Sequence, residues 1–150
     1  MKYRSIKLVL IIIFTTISIF AQNTIKKEYN AGKFIISVIE FESSDGKAMI
    51  ALFNSEESYS ETGVNFKSNA LEIADQKAEW IIDELPFGEY AIKLYHDENG
   101  NKKMDRNMLG IPSEDYGFSN NATGNFGPAD YEDAKFIFNT SGQKHEINLD

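Results

Sequence analysis

From Asp97 to Asp105 the chain reads Asp97-Glu98-Asn99-Gly100-Asn101-Lys102-Lys103-Met104-Asp105, with oxygen-bearing side chains recurring at alternate positions. Counting Asp97 as position one, Asn99 is three, Asn101 five, Lys103 seven and Asp105 nine. Calcium loops take side-chain oxygens from positions one, three, five and often nine, and a backbone carbonyl from seven. The reason is geometric: a hard cation gathers about six to eight oxygens, and a tightly curled loop turns alternate side chains inward. The expected ligand set is Asp97, Asn99, Asn101, the carbonyl of Lys103, and Asp105, with calcium as the cofactor. Glu98, Lys102 and Met104 are expected to point outward. Two positions depart from the pattern. Position six, where the sharp turn favours glycine, is Lys102, and a left-handed non-glycine residue costs on the order of 1 kcal/mol. Position twelve, usually a bidentate glutamate, is Met108, so a further carboxylate must come from elsewhere; Glu114 and Asp115 are the candidates. Two formal acids imply weak to moderate affinity. The competing readings are a solvated turn held by Asx side-chain bonds to its own backbone, and a magnesium site.

Beside the loop stands His96, and His145 is the only other histidine. Together with nearby acids they could build a transition-metal site; the alternative is a pair of core-edge histidines with satisfied hydrogen bonds. His96, Asp97 and Glu114 could also serve a metal-dependent hydrolase. There is no cysteine, hence no thiol nucleophile. No nucleophile elbow, phosphate loop or dinucleotide fingerprint is present. Downstream, Tyr116, Phe118 and Phe126 with Asn120 and Asn121 have the aromatic and amide character of a carbohydrate or peptide groove. The alternative is a small core beneath a long loop.

Strands must position these residues. Phe34 to Phe41 is rich in β-branched and aromatic residues and reads as a strand with two apolar faces. Asp45-Gly46 predicts a hairpin turn into a strand over Lys47 to Phe53. Asn54 to Tyr59 predicts one helical turn, and Asn65 to Ala74 a weak strand joined through Asp75-Gln76 to Lys77 to Asp83. There Ala78, Trp80 and Ile82 share the inward face. Leu85-Pro86-Phe87-Gly88 is a turn, with glycine available for positive φ. Glu89 to His96 alternates most clearly, with Tyr90, Ile92, Leu94 and His96 on one face. Residues 97–133 show no regular period, but their aromatics argue for an ordered excursion. Ala134 to Asn139 and Lys144 to Leu149 close the chain as strands. About seven short strands predict an all-β, antiparallel two-sheet sandwich, immunoglobulin-like or transthyretin-like, with a long ordered loop.

Lys2, Arg4 and Lys7 precede an apolar run from Leu8 to Phe20 that ends at Ala21. The run is shorter than the about 20 residues that span a bilayer. This is the pattern of a secretory signal peptide over residues 1–21, followed by a flexible lead-in at 22–31 and one domain over 32–150. The expected location is periplasmic or extracellular, with no membrane insertion after cleavage. All 23 acidic residues lie after residue 21, while three of the 15 basic ones lie before it, which leaves 12 basic residues and a mature formal charge of −11. Such a surface repels nucleic acid and anionic lipid. It suits cations and solubility.

The stretch containing Leu85-Pro86, Gly88, Tyr90-Ala91, His96-Asp97, Asn99, Asn101, Asp105, Leu109-Gly110-Ile111-Pro112, Glu114, Tyr116-Gly117-Phe118-Ser119-Asn120-Asn121 and Phe126-Gly127-Pro128 resembles the bacterial family named domain of unknown function 2141. The resemblance runs from about Gly32 to Leu149. It implies an exported all-β domain whose signature is the aspartate–asparagine loop, and it implies no particular activity. The family pattern carries glycine where this chain has Lys102. The function expected from all of this is a non-enzymatic binding or accessory module with a calcium-type loop and a protein or glycan partner.

Overall fold

The computed structural model describes residues 30–60, 64–125 and 127–149. The expected signal peptide, most of the expected lead-in and Phe126 lie outside the described residues. The elements are β1 (Ala31–Ile39), β2 (Lys47–Phe53), helix α1 (Glu56–Ser60), β3 (Lys67–Glu72), β4 (Lys77–Pro86), β5 (Gly88–Asp97), β6 (Tyr116–Phe118), a 3-10 turn (Ser119–Asn121), helix α2 (Tyr131–Ala134), β7 (Phe136–Phe138) and β8 (Gln143–Asn148). They form two sheets, one ordered β4-β1-β8 and the other β3-β2-β5-β6, with β7 also paired to β5.

The fold is all-β, as expected, and alternation explains its core. Phe34, Ile36 and Val38 of β1 are buried, as are Ala48, Ile50 and Leu52 of β2 and Tyr90, Ile92 and Leu94 of β5. Phe136, Phe138, Ile147 and Leu149 complete the same cluster. Both sheets contribute to one apolar interior, the arrangement of a two-layer sandwich. Phe34 stacks on Phe136 at 5.4 Å between ring centroids and meets Phe138 at 5.0 Å, which knits the layers together at one end. Trp80 is only half-buried and packs against the edge of this cluster rather than inside it.

Several local expectations are corrected. Asp45-Gly46 does not close a hairpin, because β1 and β2 belong to different sheets. Glu40 turns the chain at φ 69°, Phe41 plugs the interior, and the segment crosses from one layer to the other. Asp75-Gln76 does form a tight turn, with φ of 52° and 58° and paired bonds between Ala74 and Lys77. The ladder then stops, since β3 and β4 diverge into separate sheets. Gly88 needs no positive φ and simply starts β5. The pairing is not wholly antiparallel: β8 runs parallel to β1, with Ile36 opposite His145 and Val38 opposite Ile147. β1 already begins at Ala31, opposite Pro86. The excursion over 97–133 contains β6, the 3-10 turn and α2, none of which has a hydrophobic period long enough to read. Ser119 holds this region to the sheet. Its buried hydroxyl accepts from the Ile92 N–H at 2.9 Å and donates to the Ala134 carbonyl at 2.5 Å.

Candidate functional site

β5 delivers the site. Its last residue, Asp97, is buried despite its charge, and its carboxylate accepts two backbone N–H groups from the loop beyond. Oδ1 accepts from Asn101 at 3.0 Å and Oδ2 from Lys102 at 2.9 Å. Asn99 Oδ1 accepts the same Asn101 N–H at 3.0 Å, so the oxygens of Asp97 and Asn99 sit side by side on one donor. Asn101 Oδ1 accepts from the Lys103 N–H at 2.8 Å, which draws the backbone of Lys103 into the ring. These are successive Asx turns, the local bonding that short oxygen-bearing side chains favour. Lys102 takes the left-handed conformation at φ 62°, and Gly100 does the same at 75°. The sharp turn expected at position six is therefore made, with lysine in place of glycine.

Asp105 closes the ring. Its carboxylate accepts from Asn99 Nδ2 at 2.5 Å and from Asn101 Nδ2 at 3.0 Å. Asp97, Asn99, Asn101 and Asp105 thus form one connected cluster. The cluster sets two carboxylates beside two amides, with both amide oxygens accepting backbone N–H groups and both amide nitrogens donating to Asp105. Glu114, supplied from beyond the loop, is buried. It bonds both ends of the loop: Oε1 accepts from the Glu98 N–H at 3.3 Å and Oε2 from the Asp105 N–H at 2.9 Å. Tyr95 lies near enough to Asp97 and Glu114 for their charges to raise its phenol pKa further, beyond the larger effect of burial.

His96 faces the other way. Successive strand residues point to opposite faces, and its ring meets Phe41 edge-on at 5.2 Å inside the sandwich. It is fully buried and lines neither the groove over Met49 and Tyr95 nor the cavity beside Tyr59 and Tyr131. Asp97 and Glu114 serve the loop, so the structure does not gather His96 with them around one cleft. Asp115 instead falls beside His96 and Glu98: one ligand atom from each of these three residues lies within 4.8 Å of the others. His145 is engaged elsewhere. Its ring stacks on Phe136 at 4.3 Å, its Nε2 accepts from the Asn120 N–H at 3.0 Å, and burial lowers its pKa.

Of the downstream aromatics, Tyr116 and Phe118 share one apolar cluster and both also line the groove on the outer face of the larger sheet. Phe118 is buried with Phe53, Tyr59 and Tyr131 in a second apolar cluster, and Tyr116 packs against it. Asn120 spends its amide on the carbonyls of Asp133 and Lys135, and Asn121 Oδ1 accepts from the Asn148 N–H. The outer face of the larger sheet carries a groove of about 1130 Å³. Met49 and Tyr95 lie in its floor, and Lys102, Arg106 and Ile111 in the wall that the loop raises. Met49 and Tyr95 carried no signal in the sequence, because they belong to the outward half of ordinary alternating strands. The signal for the groove was the exposed apolar run around Met108, Leu109 and Ile111, which has no partner in the strand pattern.

The family model described as an uncharacterized protein conserved in bacteria, domain of unknown function 2141, matches residues 36–147. The chain belongs to this family. The matched span takes in both sheets, the aspartate–asparagine loop and the whole groove wall. No curated protein and no solved structure matches the chain. Among the described residues, no helix is long and apolar enough to cross a membrane.

Proposed function

We propose that this member of the family is an exported, non-enzymatic binding module whose groove wall is stiffened by a calcium-type cation. The ligands are Asp97, Asn99, Asn101, the Lys103 carbonyl and Asp105. The observation that carries this reading is the ring of Asp97, Asn99, Asn101 and Asp105, closed onto itself and braced by Glu114 from outside. Lys102 and Arg106, in and just beyond that ring, line the groove, so fixing the ring fixes one wall of the surface that meets a partner. That partner is a protein or glycan segment able to cover an apolar floor. With only two formal acids, the affinity belongs with extracellular calcium modules, at a Kd of about 10⁻⁴ to 10⁻³ M.

Calorimetric titration and thermal melts test the cation. At 10 mM calcium, such an affinity stabilises the folded state by about 1.4 to 2.7 kcal/mol. This raises the melting temperature by several degrees, and Asp105→Ala abolishes the rise. Absence of both heat and a melting shift at millimolar calcium overturns the proposal.

A further inference from the structure

We infer a second metal site, on the opposite face of the sheet end from the calcium-type loop, formed by His96 Nδ1, Glu98 and Asp115 and suited to zinc or a similar transition metal. Acidic residues near one another are common on a surface of this charge, and the case rests on the histidine. The His96 ring is fully buried. Its Nε2 lies 2.6 Å from the Asp45 carbonyl. A carbonyl can only accept, so Nε2 carries a hydrogen, and in the neutral tautomer that bond selects, the lone pair is on Nδ1. That Nδ1 is buried with no hydrogen-bond partner. Glu98 Oε1 stands 3.8 Å from it, and Asp115 completes the triangle with all three ligand atoms within 4.8 Å.

The surroundings are those of a metal-ligating histidine. Such a residue donates its second ring N–H to a carboxylate or backbone carbonyl, which fixes tautomer and orientation. Here the Asp45 carbonyl performs that task. Gly46, which follows it, packs so tightly that a Cβ would come 2.0 Å from the Asp97 carbonyl oxygen, and this holds the Asp45 turn against the end of β5. Ligand atoms on one tetrahedral zinc lie roughly 3.3 Å apart. Glu98 is exposed and Asp115 half-buried, so both can draw in by about an ångström. Imidazole with two carboxylates, and an open fourth position for water, suits zinc better than calcium or magnesium, which prefer all-oxygen shells. His145, bonded to the backbone of Asn120, takes no part.

Zinc titration of the full chain by calorimetry, at neutral pH and in excess calcium, tests the site. Cobalt substitution and NMR of the histidine ring nitrogens are run alongside it. The expected result is one zinc per chain, a four-coordinate cobalt spectrum and a large shift of the His96 Nδ1 resonance. Glu98→Gln and Asp115→Asn each weaken uptake about tenfold or more; because Glu98 is exposed, its variant folds. No uptake by folded protein at about millimolar zinc overturns the site, as does uptake that both substitutions leave unchanged. So does a His96 Nδ1 resonance that zinc leaves unmoved. The calcium response is read separately, so failure of one site leaves the other standing.

Discussion

At the scale of single residues, the end of β5 depends on close approach. Gly46 sits at φ 70° with the Asp97 carbonyl oxygen where a Cβ would go. Gly46→Ala combines left-handed strain with a steric clash against backbone. Neither can be relieved by rotating a side chain, so the substitution destabilises by on the order of 2 kcal/mol or more. A urea denaturation midpoint checks this, and an unchanged midpoint contradicts it. The same substitution disturbs Asp97 and the Asp45 carbonyl together. Asp45-Gly46 was legible as a turn, yet its contact with Asp97, across 51 residues of chain, was not. Glycine announces conformational freedom, and only the fold says what uses it. Glu98 teaches the same lesson in reverse. It was expected to point away from the calcium-type loop, and two positions beyond His96 it does share the face that His96 occupies.

At the scale of elements, the long excursion is fastened by side chains rather than by strand ladders. Ser119 satisfies a backbone N–H of β5 and the last carbonyl of α2 at once, with no exposure to solvent. Ser119→Ala leaves both groups buried and unpaired, at a cost of about 2 to 4 kcal/mol, measurable by thermal or chemical melts. Backbone amides of residues 116–134 exchange faster in that variant than those of β1. β8 carries a pH-sensitive contact. Burial lowers the pKa of His145, and its Nε2 must stay unprotonated to accept from Asn120. The unfolded chain takes up the proton first, near pH 6.5. Stability is therefore complete above that value. It falls as the pH drops through 6.5 toward the lower folded-state pKa, with a slope of up to about 1.4 kcal/mol per pH unit. Comparing melts at pH 7.5 and 5.5 for the parent and His145→Gln isolates the effect: the difference between the two pH values shrinks in the variant.

At the scale of the whole molecule, the chain has no cysteine, hence no disulfide, and a formal net charge of −8. Its stability rests on the apolar interior shared by the two sheets and on the second cluster around Phe118, with both proposed cation sites at the end of β5. Export is a prediction at this scale. Intact mass of the protein recovered from periplasm or medium is expected to correspond to a chain beginning at Gln22. Recovery of the uncut chain from the membrane fraction would contradict it.

What the sequence determined by itself was whatever depends on neighbours a few residues apart. Alternation in β1, β2, β5 and β8 marked the strands and most of the core, because side chains two apart share a face wherever the strand goes. Alternate oxygens over Asp97–Asp105 marked the ring, because Asx turns close over two to five residues. The tertiary structure alone decided three further matters. It placed β1 and β2 in different sheets, since an Asp-Gly turn limits local geometry but not the partner of each strand. It set β8 parallel to β1, a pairing of residues more than a hundred positions apart that no local period encodes. And it sorted the acids at the end of β5 to two faces, sending Asp97 and Glu114 to the Asp97–Asp105 ring and Glu98 and Asp115 to His96. That division follows from strand alternation only once the pairing of β5 with β6, and the bond from the His96 N–H to the Asp115 carbonyl, set the register.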